Sequence, residues 1–157
     1  ILIMYLLDTN HCSKLIAGNS NIINKLSALD DTPIATCVIV RGELVFMAYK
    51  SARQNENLLS IQSFLNDIDI LPIDDRAADV YGELKAALID HFGPKEKEKR
   101  RNATIEKLGF KENDLWIAAV AKSHEYIIVS TDKDFVRMKE ADDLRVESWV
   151  PREEEQS

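Results

Sequence analysis

Short apolar runs alternate along this chain with longer stretches of helical periodicity. Residues 3–7, Ile-Met-Tyr-Leu-Leu, form a brief run that ends at Asp8 and predict a buried first strand. Residues 10–17 predict a short helix, stopped by Gly18. Over 20–29, Ile22, Ile23, Leu26 and Leu29 recur on one helical face. Residues 33–36 predict a second strand that runs directly into a helix over 38–50. A further helix over 56–67 carries Leu58, Ile61 and Leu65 on one side.

The second half repeats the alternation. Residues 70–73 predict a third strand at a sheet edge, because Pro72 has no N–H to give a ladder. Asp74 or Asp75 is placed to cap a helix over 76–92, with Ala77, Tyr81, Leu84 and Leu88 facing inward. Gly93-Pro94 breaks that helix. Residues 95–101 are polar and mostly basic, and 102–108 predict another helical stretch. Asn113 is placed to cap a helix over 114–123. Its residues 115–121 are apolar all round, which predicts a central position rather than a surface one. Residues 126–130 predict a strong buried strand, and 144–149 the last strand. Strands alternating with helices define an α/β domain with a parallel sheet. The expected organisation is one domain over 1–150 and an acidic tail over 151–157.

Charge changes the picture only once its distribution is considered. The 157 residues carry 27 Asp and Glu against 20 Lys and Arg, a net charge of -7, which argues at first sight against a nucleic-acid partner. Two cysteines, Cys12 and Cys37, are too few for a disulfide scaffold. The opening apolar run is far shorter than the ~20 residues of a membrane span. The expected compartment is the cytoplasm, with no membrane partner. His11, His91 and His124 have no metal spacing with the cysteines.

The informative feature is where particular acids fall. Asp8 ends the first strand, and Asp132 follows another apolar strand in Ser130-Thr131-Asp132-Lys133-Asp134. Asp114 opens the apolar helix, and Glu43 lies in the first turns of the helix after strand two. In an open parallel sheet, residues just past strand ends converge on the crevice where strand order reverses. Taken singly, each acid is better read as a helix cap or a solvated residue. Taken together, two apolar strands both run into an acid flanked by Thr, at Thr9 and Thr131. Carboxylates brought together repel unless a cation compensates. Mg2+ or Mn2+ suits such hard oxygen ligands and keeps waters and open positions, as phosphodiester hydrolysis requires.

At these residues the chain resembles the PIN-domain family, and within it the VapC-type toxins of bacterial toxin–antitoxin pairs. Tyr5-Leu6-Leu7-Asp8-Thr9-Asn10 matches the opening motif and Glu43-Leu44 the second. Asn113-Asp114-Leu115-Trp116-Ile117-Ala118-Ala119 matches the third and Thr131-Asp132-Lys133-Asp134-Phe135 the fourth. The similarity runs through the closing strand at 146–149. It implies a three-layer, Rossmann-like domain whose central parallel sheet of about five strands is flanked by helices. The implied activity is that of a Mg2+- or Mn2+-dependent endoribonuclease. Carried over by position, Asp8, Glu43, Asp114 and Asp132 form the catalytic pocket. Asp8 and Asp114 are then the principal metal ligands, while Glu43 and Asp132 hold the attacking water or a second ion. Thr9, Asn10, Asn113, Thr131 and Asp134 support them, with Asn10 and Thr131 orienting carboxylates by hydrogen bonds. Implied partners are RNA, a VapB-type antitoxin lying across the site, and a second copy of the chain in a homodimer. Cys37 and Val40 stand where many relatives have Ser and Thr, which leaves Thr36 as the candidate helix cap.

Two features qualify this picture. The connection over 92–111 is longer than the family's compact one. It carries Lys95, Lys97, Lys99, Arg100 and Arg101 among Glu96, Glu98 and Glu106, a mixture that suits a solvated surface stretch as well as contact with RNA phosphates or an acidic partner. Other functions also remain open: a different aspartate–Mg2+ phosphoryl-transfer domain, or a binding module whose acids hold a structural ion. Setting aside the four pocket acids and Glu153, Glu154 and Glu155 leaves acids and bases in equal number. The acidic balance therefore no longer excludes a nucleic acid.

Overall fold

Tyr5–Leu7 forms the first strand, β1, in the middle of a five-stranded sheet. Ile34–Cys37 (β2) and Asp69–Leu71 (β3) lie on one side of it, and Ile127–Val129 (β4) and Val146–Glu147 (β5) on the other. The order is β3-β2-β1-β4-β5 and every pairing is parallel. Leu6 stands opposite Ala35 on one side and Ile128 on the other. This is a computed structural model, and it describes residues 2–151; the expected acidic tail beyond Pro151 lies outside the described residues.

Sheet order explains the burial pattern. A central parallel strand is covered on both faces and is apolar throughout. Leu6 and Leu7 are accordingly fully buried, and Tyr5 nearly so. β3 is an edge strand, with Asp69 exposed and Ile70 and Leu71 half-buried. It ends at Leu71, one residue before Pro72, and not at 73 as expected, because the proline cannot donate to the ladder.

Eight helices flank the sheet among the described residues. Thr9–Ile16 (α1), Ser20–Leu29 (α2), Val38–Lys50 (α3) and Gln54–Asn66 (α4) pack on one another. Asp75–Phe92 (α5) packs along Glu112–Ser123 (α7), which also touches Lys133–Met138 (α8). Lys97–Arg101 (α6) lies between α5 and α7 in the chain. α7 is central, as its apolar circumference predicts: residues 117–121 are all buried. Asp74 caps α5 by accepting the Ala77 N–H at 2.9 Å. None of the helices among the described residues is long and apolar enough to cross a membrane.

Three local expectations give way. Residues 102–108 are turns rather than helix, because Ile105 is pulled fully into the core. The Ile105 carbonyl accepts from both Leu108 and Phe110, and Gly109 turns the chain at a φ of +90° so that Phe110 is also buried. With Phe110 anchored, α7 starts at once. Lys111 holds the cap position without a side-chain bond, and Asn113 lies inside the first turn instead of capping it. Nor does Thr36 cap α3: its Oγ1 donates to the Leu7 carbonyl at 2.8 Å and ties β2 to β1. α8 has only six residues, too few to show periodicity in the sequence.

Candidate active site

The chain leaves β1 toward one edge, then crosses back to lay β4 beside β1. The switch point of this sheet therefore falls between the carboxyl ends of β1 and β4. Asp8 and Ser130 are the residues immediately after those two strands, and both are buried.

Asp8 is fully engaged. Its Oδ1 accepts the His11 backbone N–H at 2.8 Å, which caps α1, and lies 3.2 Å from His11 Nδ1. Its Oδ2 accepts from Ser130 Oγ at 2.5 Å. The Ser130 oxygen in turn accepts the Asp132 N–H at 2.9 Å. Asp132 Oδ1 accepts the Asp134 N–H at 2.9 Å and caps α8. Asp134 Oδ1 lies 3.4 Å from Arg137 Nη1. One hydrogen-bonded line thus runs from Asp8 to Arg137, and it serves the helix caps and the pocket together. Glu43 is held from the other side, its Oε1 accepting from Thr9 Oγ1 at 2.9 Å.

Asp114 faces this line from the first turn of α7. One oxygen each from Asp114, Asp132 and Asp134 lie within 4.8 Å of one another. Asp114 is only 9% exposed, and its Oδ2 is buried with no hydrogen-bond partner. Burial, then the neighbouring charge of Asp132, pushes its pKa up to about 7 from an ordinary 3.8. Lys111 pulls the other way, while Glu43 and Asp134 add to the rise. The helix dipole favours an acid here by about 0.3–1 kcal/mol. The rise corresponds to about 4 kcal/mol at its upper bound, so desolvation and repulsion win. A buried carboxylate oxygen without a partner, facing two more carboxylates, fits a hard divalent cation.

The four acids singled out from the sequence all reach this region, but not equally. The tight set consists of Asp114, Asp132 and Asp134, with Asp8 one hydroxyl away through Ser130 and Glu43 acting on Asp114 electrostatically. Asn10 and Thr131 hydrogen-bond none of these carboxylates; His11 and Ser130 hold Asp8 instead. Asn113 is exposed and lines, with Gly42, Glu43, Phe46 and Met47, a shallow cleft of about 500 Å³ beside the acids. Ser130 and His11 were missed because neither belongs to a spacing motif. A polar residue closing an apolar strand, and a His one helical turn after the acid, were the available signals. Cys12 and Cys37 are buried thiols whose pKa values burial raises, so they are not nucleophiles. On the basic stretch, Arg100 pairs with Asp90 and Lys99 with Glu96, while Lys95, Lys97 and Arg101 are exposed.

Ser130 has a checkable weight. In Ser130→Ala the buried Asp8 Oδ2 and the Asp132 N–H lose their shared partner, at an expected cost of about 1–3 kcal/mol. Thermal denaturation reads the loss, and an unchanged Tm would show that Ser130 merely fills space.

Residues 5–141 match the family model of the PIN domain. The chain is 30% identical over 152 residues to the ribonuclease VapC2 of Haemophilus influenzae strain Rd, covering 95% of this chain and 100% of that one. It is 28% identical over 149 residues to the tRNA(fMet)-specific endonuclease VapC of Shigella flexneri, with 94% and 99% covered. The solved VapBC2 of Rickettsia felis, bound to a DNA fragment from its promoter, matches with a TM-score of 0.75 at 25% identity, covering 94% of this chain and 100% of that one. The chain belongs to the PIN-domain family, in the branch of the VapC ribonucleases.

Proposed function

We propose that this protein is the endoribonuclease toxin of a toxin–antitoxin pair. Its carboxylates Asp8, Glu43, Asp114, Asp132 and Asp134 hold Mg2+ or Mn2+ and cut RNA by hydrolysis. The observation that carries this is the unpartnered Asp114 oxygen, buried among acids on a chain of VapC type. When bound, the cation supplies positive charge to the scissile phosphate and lowers the pKa of a water.

The side chains divide the remaining work. Asp114, Asp132 and Asp134 would bind the ion most closely, with Asp8 and Glu43 completing its surroundings. Asp8, pinned at both oxygens, keeps Ser130 and Asp132 in register with β1. Glu43, fixed through Oε1 by Thr9, would have its other oxygen left for the attacking water. The buried thiols of Cys12 and Cys37 take no part, and water is the nucleophile in this reading. Lys111, exposed at the mouth, and the free cations Lys95, Lys97 and Arg101 meet RNA phosphates in a salt-dependent way. Phe46, Met47, Tyr49 and Leu59 are large apolar side chains exposed on α3 and α4, a surface suited to a VapB-type antitoxin and to a second copy of the chain.

Cleavage of RNA by the antitoxin-free protein is expected with Mg2+ or Mn2+, lost with a chelator, and lost in Asp8→Asn with the fold intact by circular dichroism. Mapping the cut ends against that variant gives the target. Purified protein that cuts no RNA with either ion would overturn the reading.

A further inference from the structure

We infer that His11 is a positioning residue for the carboxylate pocket. Its imidazole, protonated at Nδ1, clamps Asp8 to the chain segment that follows β5. This rests on Asp8 belonging to the working pocket.

His11 is fully buried, one turn into α1 from Asp8. Its Nδ1 is 3.2 Å from Asp8 Oδ1, and its Nε2 is 3.3 Å from the backbone nitrogen of Trp149, 138 residues away in sequence. A backbone N–H only donates, so Nε2 must offer a lone pair. The ring proton then sits on Nδ1 and points at Asp8. Both ring nitrogens are used, one on each side, with no capacity left over.

The far anchor is itself rigid. Trp149 is 7% exposed and packs edge-on against Tyr5 of β1, with ring centroids 5.2 Å apart. Its Nε1 donates to Glu147 Oε1 at 2.8 Å, and Ser148 Oγ bonds the Val150 backbone in both directions. The segment 148–150 is thus locked to β1, and His11 ties Asp8 to it. With Oδ1 receiving the His11 N–H and Nδ1–H, and Oδ2 receiving Ser130, the Asp8 carboxylate cannot rotate about its last bond. Fixing a carboxylate's plane fixes where its remaining lone pairs aim, which is how outer partners tune a metal site. An apolar core residue at position 11 would fill the same volume and aim nothing.

Two substitutions separate the ring's two bonds. In His11→Asn the amide N–H stands where Nδ1–H stood, keeping the Asp8 bond and losing the Trp149 acceptor. In His11→Gln the amide oxygen stands where Nε2 stood, keeping the Trp149 bond and losing the donor to Asp8. Each is compared with the wild type for Mn2+ affinity by calorimetry, for kcat and KM on RNA, and for Tm. A purely structural histidine lowers Tm in both variants and leaves Mn2+ affinity and kcat alike in the two. The clamp instead predicts that His11→Gln loses roughly 10–100-fold in Mn2+ affinity and in kcat, with KM little changed. His11→Asn, which keeps the donor to Asp8 but loses the far anchor, falls between His11→Gln and the wild type in both quantities. Equal values in the two variants would overturn the proposal. Nitrogen NMR of histidine-labelled wild type gives a reading that needs no activity. The Nδ1–H form with a signal that moves in Asp8→Asn supports the clamp, even for a protein that cuts no RNA. The Nε2–H form overturns it.

Discussion

Asp114→Asn is expected to abolish RNA cleavage and, without divalent cations, to make the protein more stable. The loss of cleavage follows from removing a charged oxygen at the centre of the pocket, within 4.8 Å of Asp132 and Asp134. On the order of 10²-fold or more should go from kcat. The gain in stability follows from the same crowding. At neutral pH and above, the buried Asp114 carboxylate is held in the folded state against its own desolvation and the charges of Asp132, Glu43 and Asp134. Asparagine has the same shape and no charge. The expected gain above pH 7 is on the order of 2–4 kcal/mol, or a rise in Tm of roughly 5–15 °C for a chain of this size. A functional residue whose removal stabilises is the usual trade at such a site. Melting in a chelator beside a cleavage assay measures both. A variant that is inactive and less stable would show that Asp114 serves the fold instead.

The second large effect is the dependence of wild-type stability on pH and metal. The folded pKa of Asp114 is pushed up to about 7, above its ordinary 3.8. Below about pH 4 the group is protonated in both folded and unfolded chains and costs nothing. Between about pH 4 and 7 only the unfolded chain releases the proton, so this group's share of stability falls as pH rises. The slope approaches about 1.4 kcal/mol per pH unit, and the loss is complete above about pH 7. A divalent cation needs the ionised form, so its affinity should rise with pH over the same window. At 100 times its dissociation constant it should restore about 2.7 kcal/mol. Neither the pH window nor the metal response should survive in Asp114→Asn. Melting curves at pH 5, 6, 7 and 8, with Mn2+ and with chelator, decide it. A wild type whose Tm ignores Mn2+ at pH 8 would exclude a metal at these acids.

Much of this site could be read in the sequence because its acids sit where periodicity changes. Asp8 and Asp132 each follow an apolar run and begin a helix, so their positions are set by local rules of strand ends and caps. The caps are real, and so is the pocket: the same carboxylates do both. The central place of β1 and α7 was equally legible, because full burial demands an unbroken apolar run or circumference. The turn over 102–110 was not legible. Ile105 reads there as part of a helical stretch over 102–108 and Phe110 as a residue beyond it, until the core draws both into one tight loop.

By itself, then, the sequence determined which strand and helix are central, where strands hand over to helices, and which acids stand at those junctions. Such patterns depend on neighbours within a few positions. Only the tertiary structure decided which acids meet. Asp134 joins Asp114 and Asp132 in the tight set, Asp8 reaches them through Ser130, and His11 finds its acceptor role at Trp149. Strand order and register fix these distances, two of which, Asp8 to Ser130 and His11 to Trp149, join residues more than a hundred positions apart. Local hydrophobic periodicity carries no information about that pairing, because it sets which face is buried and not what lies against it.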